Sequence, residues 1–358
     1  MKELIDLTKS LIRYPSVQSR PDQLHACADH IADYLKSNGI IFQRFVFNNI
    51  PSILVLPENR SAPVVLMSHF DVVDGPDRLF SPWEENGRLY GRGSIDDKYA
   101  VALSLVLLKS HVNRLRSVGK NQNALPFGIV LTGDEEIGGG NGAQKVLHEF
   151  KTDFCIALDG GNIDKIVIKE KGILRLKLIS RGKSAHGARP WLGENAIDRL
   201  IDDYQRIKTF FTASAPDHWH RTLNLSIMHA GKVINQVPDT AEAFFDIRYT
   251  ENDDIDALVK AVRAEISSQI HVVSTSPMFL GGNSPYLDKL LTFSPSTRLG
   301  CEHGASDARH LADHDIPGIV WGPDGEMSQH AEDEHIVIGS FLALYTILDQ
   351  FLSAIGNP

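Results

Sequence analysis

The stretch "LTGDEEIGGGNG", residues 131–142, sets two adjacent carboxylates, Glu135 and Glu136, between an apolar run and a glycine cluster. Adjacent carboxylates repel, and on an extended strand neighbouring side chains point to opposite faces. Either the pair is a solvated turn or each glutamate has its own task. The stretch alone leaves both open. Other segments carry related side chains: "LMSHFDVV" offers His69 and Asp71, "GRGSIDDKYA" offers Asp96 and Asp97, and "IALDGG" offers Asp159. A late loop, "GEMSQHAEDEH", adds His330 and His335. The set is imidazole and carboxylate without cysteine. That suits zinc, cobalt or manganese rather than a thiolate site.

Such residues act together only if the fold gathers them. "SILVLP", "PVVLMSH", "FGIVLTGDEE" and "DFCIALDGG" are short apolar runs ending in polar or glycine residues, as buried, largely parallel strands do. "KELIDLTKSLIRYPS", "DQLHACADHIADYLKSNG" and "DKYAVALSLVLLKSHVNRL" have helical apolar spacing, with Gly39 as a stop for the second. Residues 1–175 therefore read as an α/β layer, a mostly parallel sheet flanked by helices. Its functional residues should collect at the carboxyl ends of the strands.

After residue 175 the pattern changes. "ILRLKLISRG", "TLNLSIMHAG" and "AEAFFDIRYT" alternate as half-wet strands do, and "ENAIDRLIDDYQRIKTFF" and "DIDALVKAVRAEISS" are helical. With "HVVSTSPMF" the order is strand-helix-strand-strand-helix-strand, a self-contained α+β sandwich. The expected organisation is a discontinuous catalytic domain, 1–175 and 289–358, interrupted by an insertion at 176–288. No internal repeat or low-complexity segment appears.

The bulk numbers remove other classes. The 358 residues suit two domains, and 42% hydrophobic and 23% charged residues are ordinary for a globular chain. A net charge of -9 with no basic run argues against nucleic acid. Three scattered cysteines, Cys27, Cys155 and Cys301, fit a reducing compartment rather than a disulfide framework. The N-terminus lacks a signal-type apolar core, and no apolar run approaches the ~20 residues that span a bilayer. The expectation is a soluble cytoplasmic protein with no membrane partner.

The ordered series "SHFDVV", "GRGSIDDK", "TGDEEIGG", "ALDGG" and "QHAEDEH" resembles the dinuclear zinc aminoacylase, carboxypeptidase and dipeptidase family. That family includes succinyl-diaminopimelate desuccinylase, acetylornithine deacetylase, glutamate carboxypeptidase, bacterial dipeptidase and peptidase T. The resemblance covers essentially the whole chain, including "GKSAHGARPWLGENAI" in the insertion. It implies a zinc-exopeptidase-like catalytic domain with a ferredoxin-like lid or dimerisation domain. The cofactors would be two Zn2+ per chain, with Co2+ or Mn2+ as substitutes.

Carried over by position, His69, Asp96, Glu136, Asp159 and His330 would be the metal ligands, with Asp96 shared. His335 is the rival to His330. Asp71 would orient His69, and Glu135 would be the general base. The resemblance thus answers the opening question, giving the adjacent glutamates different tasks. His186 would stabilise the oxyanion, from its own chain or a partner's. Asn235, Arg248 and Gly304 fall on substrate-side positions, Arg248 suiting a carboxylate. Ser306 lies in the same loop as Gly304, and His303 and His310 read as structural.

Two departures stand out. Tyr99 occupies a position where the family usually has a small residue, and either narrows the site or packs behind it. Asp159, where many deacylases carry Glu, tilts the reading toward dipeptides or short peptides. The expected function is amide hydrolysis of such peptides through water activated by two zinc ions. An N-acyl-amino-acid deacylase is the alternative, and a metal-dead binding protein the second. The last should have lost a ligand or the base, and none is missing. No G-x-S-x-G or H-E-x-x-H motif supports a serine or single-zinc protease. A homodimer through the lid is a further expectation.

Overall fold

The computed structural model describes residues 1–355, and they form two compact units. Met1–Lys169, Phe279–Glu302 and the chain from Ser306 make the first; Glu170–Met278 with His303–Ala305 make the second. Along the chain, the first unit opens with α1 (Lys2–Ile12) and α2 (Pro21–Ser37). α1 buries Leu4, Leu7 and Leu11 at helical spacing. α2 starts on Pro21 and is followed by Gly39 at φ +63°, a left-handed stop that suits glycine. The strands β1 (Gln43–Phe47), β2 (Ile50–Val55), β3 (Ser61–His69), β4 (Trp83–Glu85) and β5 (Arg88–Tyr90) follow. Then come α3 (Lys98–Ser117), β6 (Phe127–Thr132), α4 (Ala143–Val146), β7 (Lys151–Ala157) and β8 (Lys165–Glu170).

The second unit is β9 (Gly172–Arg181), α5 (Ala196–Lys208), β10 (Thr222–Ala230), β11 (Thr240–Tyr249), α6 (Ile255–Glu265) and β12 (Gln269–Ser276). Its sheet runs β10-β11-β9-β12 with antiparallel neighbours throughout. Leu174, Leu176 and Leu178 of β9 and Ala241, Ala243, Phe245 and Ile247 of β11 are buried on alternate positions, packing with Leu200 of α5 and Val262 of α6. The alternation seen in the sequence is thus one wet face and one helix-covered face. The unit opens at Glu170 because β9 runs unbroken from Gly172, and closes at Met278 before the chain rejoins the first sheet.

The first unit resumes with β13 (Phe279–Leu280), α7 (Pro285–Leu291), β14 (Arg298–Glu302), β15 (Gly318–Val320), β16 (His335–Val337) and α8 (Ile338–Ile355). Its main sheet has the order β1-β2-β6-β3-β7-β15-β8-β13, with β14 paired to β8. β6, β3, β7 and β15 are mutually parallel, whereas β2 runs antiparallel to β6 and β8 antiparallel to β15. The sheet is therefore mixed. "SILVLP" belongs to an antiparallel edge, and its full burial made it read like its central neighbours.

α8 is long and apolar enough to cross a membrane by length and composition, which the sequence reading had not expected of any segment. Its Phe341, Leu344, Leu348, Phe351 and Leu352 are buried in the core with α3. At about 1.5–3 kcal/mol each, their burial is worth on the order of 10 kcal/mol gross, so one face of the helix belongs to the core, with 28% of the span buried.

Candidate metal centre

The parallel register gathers the chemistry. His69, the last residue of β3, pairs with Thr132 of β6, and Met67 pairs with Ala157 of β7. The residues just past those strands, 133–136 and 158–159, therefore leave the same edge of the sheet as His69. Backbone bonds extend the order past the strand ends: Phe70 N–H donates to Thr132 (2.9 Å), and Leu158 N–H to Met67 (2.8 Å). Asp96 arrives from the loop before α3, through a cis Asp96–Asp97 peptide.

Two groups of donor atoms result. In the first, His69, Asp96 and Asp159 each bring one ligand atom, all within 4.8 Å of one another; in the second, Asp96, Glu136 and His330 do the same. Asp96 joins them: its Oδ1 lies 3.0 Å from His69 Nε2 and its Oδ2 3.0 Å from His330 Nε2. Glu136 Oε2 is 3.2 Å from His330 Nε2, and Asp159 Oδ1 is 3.8 Å from His69 Nε2. His69 Nε2 is buried without a hydrogen bond of good geometry, though carboxylate oxygens surround it. An orphaned imidazole nitrogen facing carboxylates is the donor set a divalent cation takes. The residues present fit the metals that the resemblance implies.

The electrostatics agree. Burial opposes the imidazolium at His69, yet the Asp159, Asp71 and Asp96 carboxylates packed around it push its pKa well above the ordinary value. At His330, bonds with Asp96 and Glu136 outweigh burial and raise it to about 10. Burial alone would raise Asp96, but His330 and His69 hold it well below the carboxylate range. Burial raises Asp159 to about 6 despite the His69 imidazole beside it. Without a metal, the histidine protons balance this acid cluster.

The glutamates do not sit on extended strand. Glu135–Ile137 form a 3-10 turn, followed by Gly138 at φ +108° and Gly139 at φ +66°. With about three residues per turn, adjacent side chains still diverge, by about 120°. Asp71 sets the turn, its Oδ1 accepting from Glu135 N–H and its Oδ2 from Glu136 N–H, both at 3.1 Å. It also lies 3.3 Å from His69 Nδ1, whose hydrogen-bond partner is the Asp71 carbonyl at 3.0 Å. Glu136 Oε1 accepts from Val73 N–H (3.1 Å), aiming its other oxygen at His330. Glu135 instead meets Arg309, whose Nη2 is 3.3 Å from Oε1. Burial and Asp159 push Glu135 well above the carboxylate range, while His69 and Arg309 pull it down.

His335 lies elsewhere, its Nδ1 on the Asp333 carbonyl (2.8 Å) and its Nε2 on Glu326 (3.1 Å). Tyr99 packs behind the site: it is fully buried, edge-on to Phe341, with its hydroxyl donating to the Leu158 carbonyl. Ser306 caps the Asp307–His314 turn, accepting from Ala308 N–H (3.3 Å), and His310 contacts the Gly138 carbonyl (3.1 Å).

The remaining residues lie in the second unit. His186 is exposed and its Nδ1 accepts from Ala188 N–H (3.0 Å), which leaves Nε2 to carry the proton of the neutral ring. Asn235 is exposed beside it, its carbonyl accepting from Gly187 N–H (2.7 Å). Arg248 is held by Asp246 through Nε (2.7 Å) and Nη2 (3.3 Å). Gly304 is exposed, and a Cβ there would meet nothing within 4 Å.

Several residues to which the sequence assigned no role of their own support the site. Asp97 is buried and accepts from His69 N–H (3.2 Å). Glu334 is buried, pairs with Arg92, and accepts from Gly93 N–H (2.7 Å), while Arg92 donates to the His330 carbonyl (3.1 Å). That pair ties the Asp96 loop to the His330 loop. Arg309 was hidden in "SDARH", where only a buried arginine facing a lone glutamate would have drawn notice.

A family model described as "Peptidase family M20/M25/M40" matches residues 65–354. The succinyl-diaminopimelate desuccinylase of Coxiella burnetii is 26% identical, over 97% of this chain and 98% of that protein. A probable carboxypeptidase of Uncinocarpus reesii is 25% identical, over 94% of this chain and 83% of that one. A tripeptidase from Staphylococcus aureus has a similar fold, with a TM-score of 0.80 at 18% identity over 100% of this chain and 99% of that one.

Proposed function

Because the chain belongs to peptidase family M20/M25/M40 and is a hydrolase, we propose that it cleaves the amide bond of dipeptides or other short peptides, with two zinc ions as cofactors. One observation carries the reading: Asp96 serves two donor groups at once, and Glu135 stands beside them in neither. His69, Asp96 and Asp159 would hold one ion, and Asp96, Glu136 and His330 the other. Bound there, a pair of divalent ions lowers the pKa of water and polarises a carbonyl.

The chain's own residues do the rest. Asp71 fixes the turn so that Glu136 faces the donors while Glu135, held by Arg309, stays outside both donor groups. As water oxygen bonds to the carbonyl carbon, Glu135 takes the released proton. It passes that proton to the amide nitrogen as the C–N bond breaks, and the second water proton, lost from the new carboxyl group, also goes to the amine, leaving a carboxylate and an ammonium. His186, with its Nε2 proton, is read as the donor to the developing oxyanion. Asn235, Arg248 and Gly304 are read as substrate contacts, and Arg248 would have to leave Asp246 to grip a carboxylate.

The peptide reading rests on Asp159, the acid that the resemblance associates with dipeptidases and aminotripeptidases. The relatives named succinyl-diaminopimelate desuccinylase, matched over nearly their whole length, favour a second reading, N-acyl-amino-acid deacylation. The test is metal content together with turnover of dipeptides, a tripeptide, acetylornithine and succinyl-diaminopimelate, with and without zinc, cobalt or manganese. Cleavage of acyl substrates alone would overturn the peptide reading. No turnover with any ion would overturn both.

The second unit is read as the lid and dimerisation domain. Its edge strands β10 and β12 expose Ile227, Met228, Val272 and Val273, which supports a homodimer. Light scattering of a monomer would end that reading. Cys27 and Cys155, both buried outside any disulfide, support a reducing, cytoplasmic setting.

A further inference from the structure

The side chain of Tyr99 links two of the residues read as ligands of one ion. Tyr99 lies three positions after Asp96, at the start of α3, so the chain joins it to that carboxylate. Its hydroxyl donates to the carbonyl of Leu158, the residue before Asp159. The ring is fully buried and edge-on to Phe341, centroids 5.5 Å apart and planes at 88°. The Asp159 end is anchored on two other sides, since Leu158 N–H donates to Met67 (2.8 Å) and Trp321 N–H to the Ala157 carbonyl (2.9 Å). Those bonds hold the strand, whereas the Leu158–Asp159 peptide itself takes its orientation from the phenol.

Space has been kept for this contact. A Cβ on Gly322 would come 2.7 Å from the Tyr99 hydroxyl and 2.8 Å from the Gly160 carbonyl. Neither is a real Cβ contact distance, so only glycine admits both the phenol and the turn after Asp159.

We infer that the Tyr99 hydroxyl is a positioning group that sets the spacing of Asp96 and Asp159 for the ion they share with His69. It touches neither ion nor substrate; it acts through the Leu158 peptide. The inference rests on the two-metal reading above. Polar groups one step behind metal ligands are worth about 10- to 100-fold in metal affinity.

The experiment is titration of the metal-stripped full chain with Co2+, followed by its d–d absorption, alongside thermal melting of the stripped and loaded forms. Tyr99→Phe keeps the ring and removes only the hydroxyl, and should weaken one class of Co2+ site about 10- to 100-fold. Gly322→Ala keeps the hydroxyl but crowds both it and the Gly160 carbonyl, and should weaken the same class; if Tyr99→Phe does not fold, parent-like Co2+ binding by folded Gly322→Ala overturns the inference. Tyr286→Phe, which removes a remote hydroxyl bonded to Asp153, should titrate like the parent. Parent-like Co2+ binding by the folded Tyr99→Phe protein overturns the inference and leaves the two-metal reading standing. So does a variant whose stripped and loaded forms lose equal stability, because the hydroxyl then serves the core alone. A parent protein that binds no Co2+ overturns the two-metal reading and this inference with it.

Discussion

The guanidinium of Arg309 lies 3.3 Å from the carboxylate of Glu135, and both side chains are nearly buried, 5% and 11% exposed. Arg309 also faces Asp307 at 3.7 Å. Gly139 lets this group come close, since a Cβ there would sit 2.0 Å from Asp307 Oδ1. The contact keeps Glu135 turned from the donors that Glu136 joins. It is also one of the two influences that lower the Glu135 pKa against burial. A base works only when ionised, so the acid limb of kcat/KM should follow Glu135. Arg309→Gln removes a lowering influence and should move that limb to higher pH. Glu135→Gln should cost about 10²- to 10⁴-fold in kcat while retaining metal. An Arg309→Gln profile superimposable on the parent's would show that the contact does not act on the base.

His330 supplies the second donor group with its one imidazole, from a left-handed backbone at φ +63° and half-exposed. His330→Ala leaves that group Asp96 and Glu136 alone. Elemental analysis should then find about one metal per chain instead of two, and activity should fall with it. His335→Ala should keep both metals, because its ring is engaged by Glu326 and Asp333. The reverse result would exchange the roles of the two histidines.

Much of this was readable from spacing. Apolar runs ending in His69, near Glu135 and near Asp159 predicted parallel strands, and register does bring those ends to one edge. The strand-helix order of the second unit followed from its alternating runs, since one covered face leaves a period of two. Other features were out of reach. The direction of β2 is invisible because full burial erases alternation. The 3-10 turn at Glu135 depends on Asp71, 64 residues away. Tyr99 could be read as narrowing the site or backing it until its hydroxyl found Leu158. Long-range polar pairing leaves no local period, so Arg92–Glu334 and Arg309–Glu135 appear only in three dimensions.

Asp71 accepts two backbone N–H groups of the glutamate turn and flanks His69. Asp71→Asn keeps the volume but turns one acceptor into a donor that faces an N–H. Metal affinity and kcat/KM should both fall, by about 10- to 100-fold. Unchanged metal affinity would mean that the turn holds without its carboxylate.

His186 has its Nδ1 occupied by Ala188 N–H, which directs its proton to Nε2. If it donates to the oxyanion, His186→Ala should lower kcat by about 10²- to 10³-fold. Metal content should stay at the parent value, since no donor group includes it. Equal loss of metal and turnover would assign it a structural task.

The stripped protein should respond to pH in the opposite sense from many acid-labile proteins. His69 and His330 have folded pKa values above the unfolded value near 6.5, His330 reaching about 10. A raised histidine stabilises fully below the unfolded value, and that contribution is lost as pH rises through the folded one. The buried acids act in the same direction, because Glu135 and Asp97 are raised by burial and must ionise at a cost as pH rises. One buried cation opposes the trend: Lys98, lowered to about 8 by burial, adds stability as pH rises from there. With two raised histidines and two raised acids against it, the metal-free form should still melt progressively lower from pH 6.5 to pH 10. Bound metal needs neutral imidazoles and ionised carboxylates, so the loaded form should not show this decline. Melting with and without chelator at pH 6.5, 8 and 9.5 should show a gap that widens with pH. A gap that narrows would mean that the acid cluster is not balanced by histidine protons in the stripped protein.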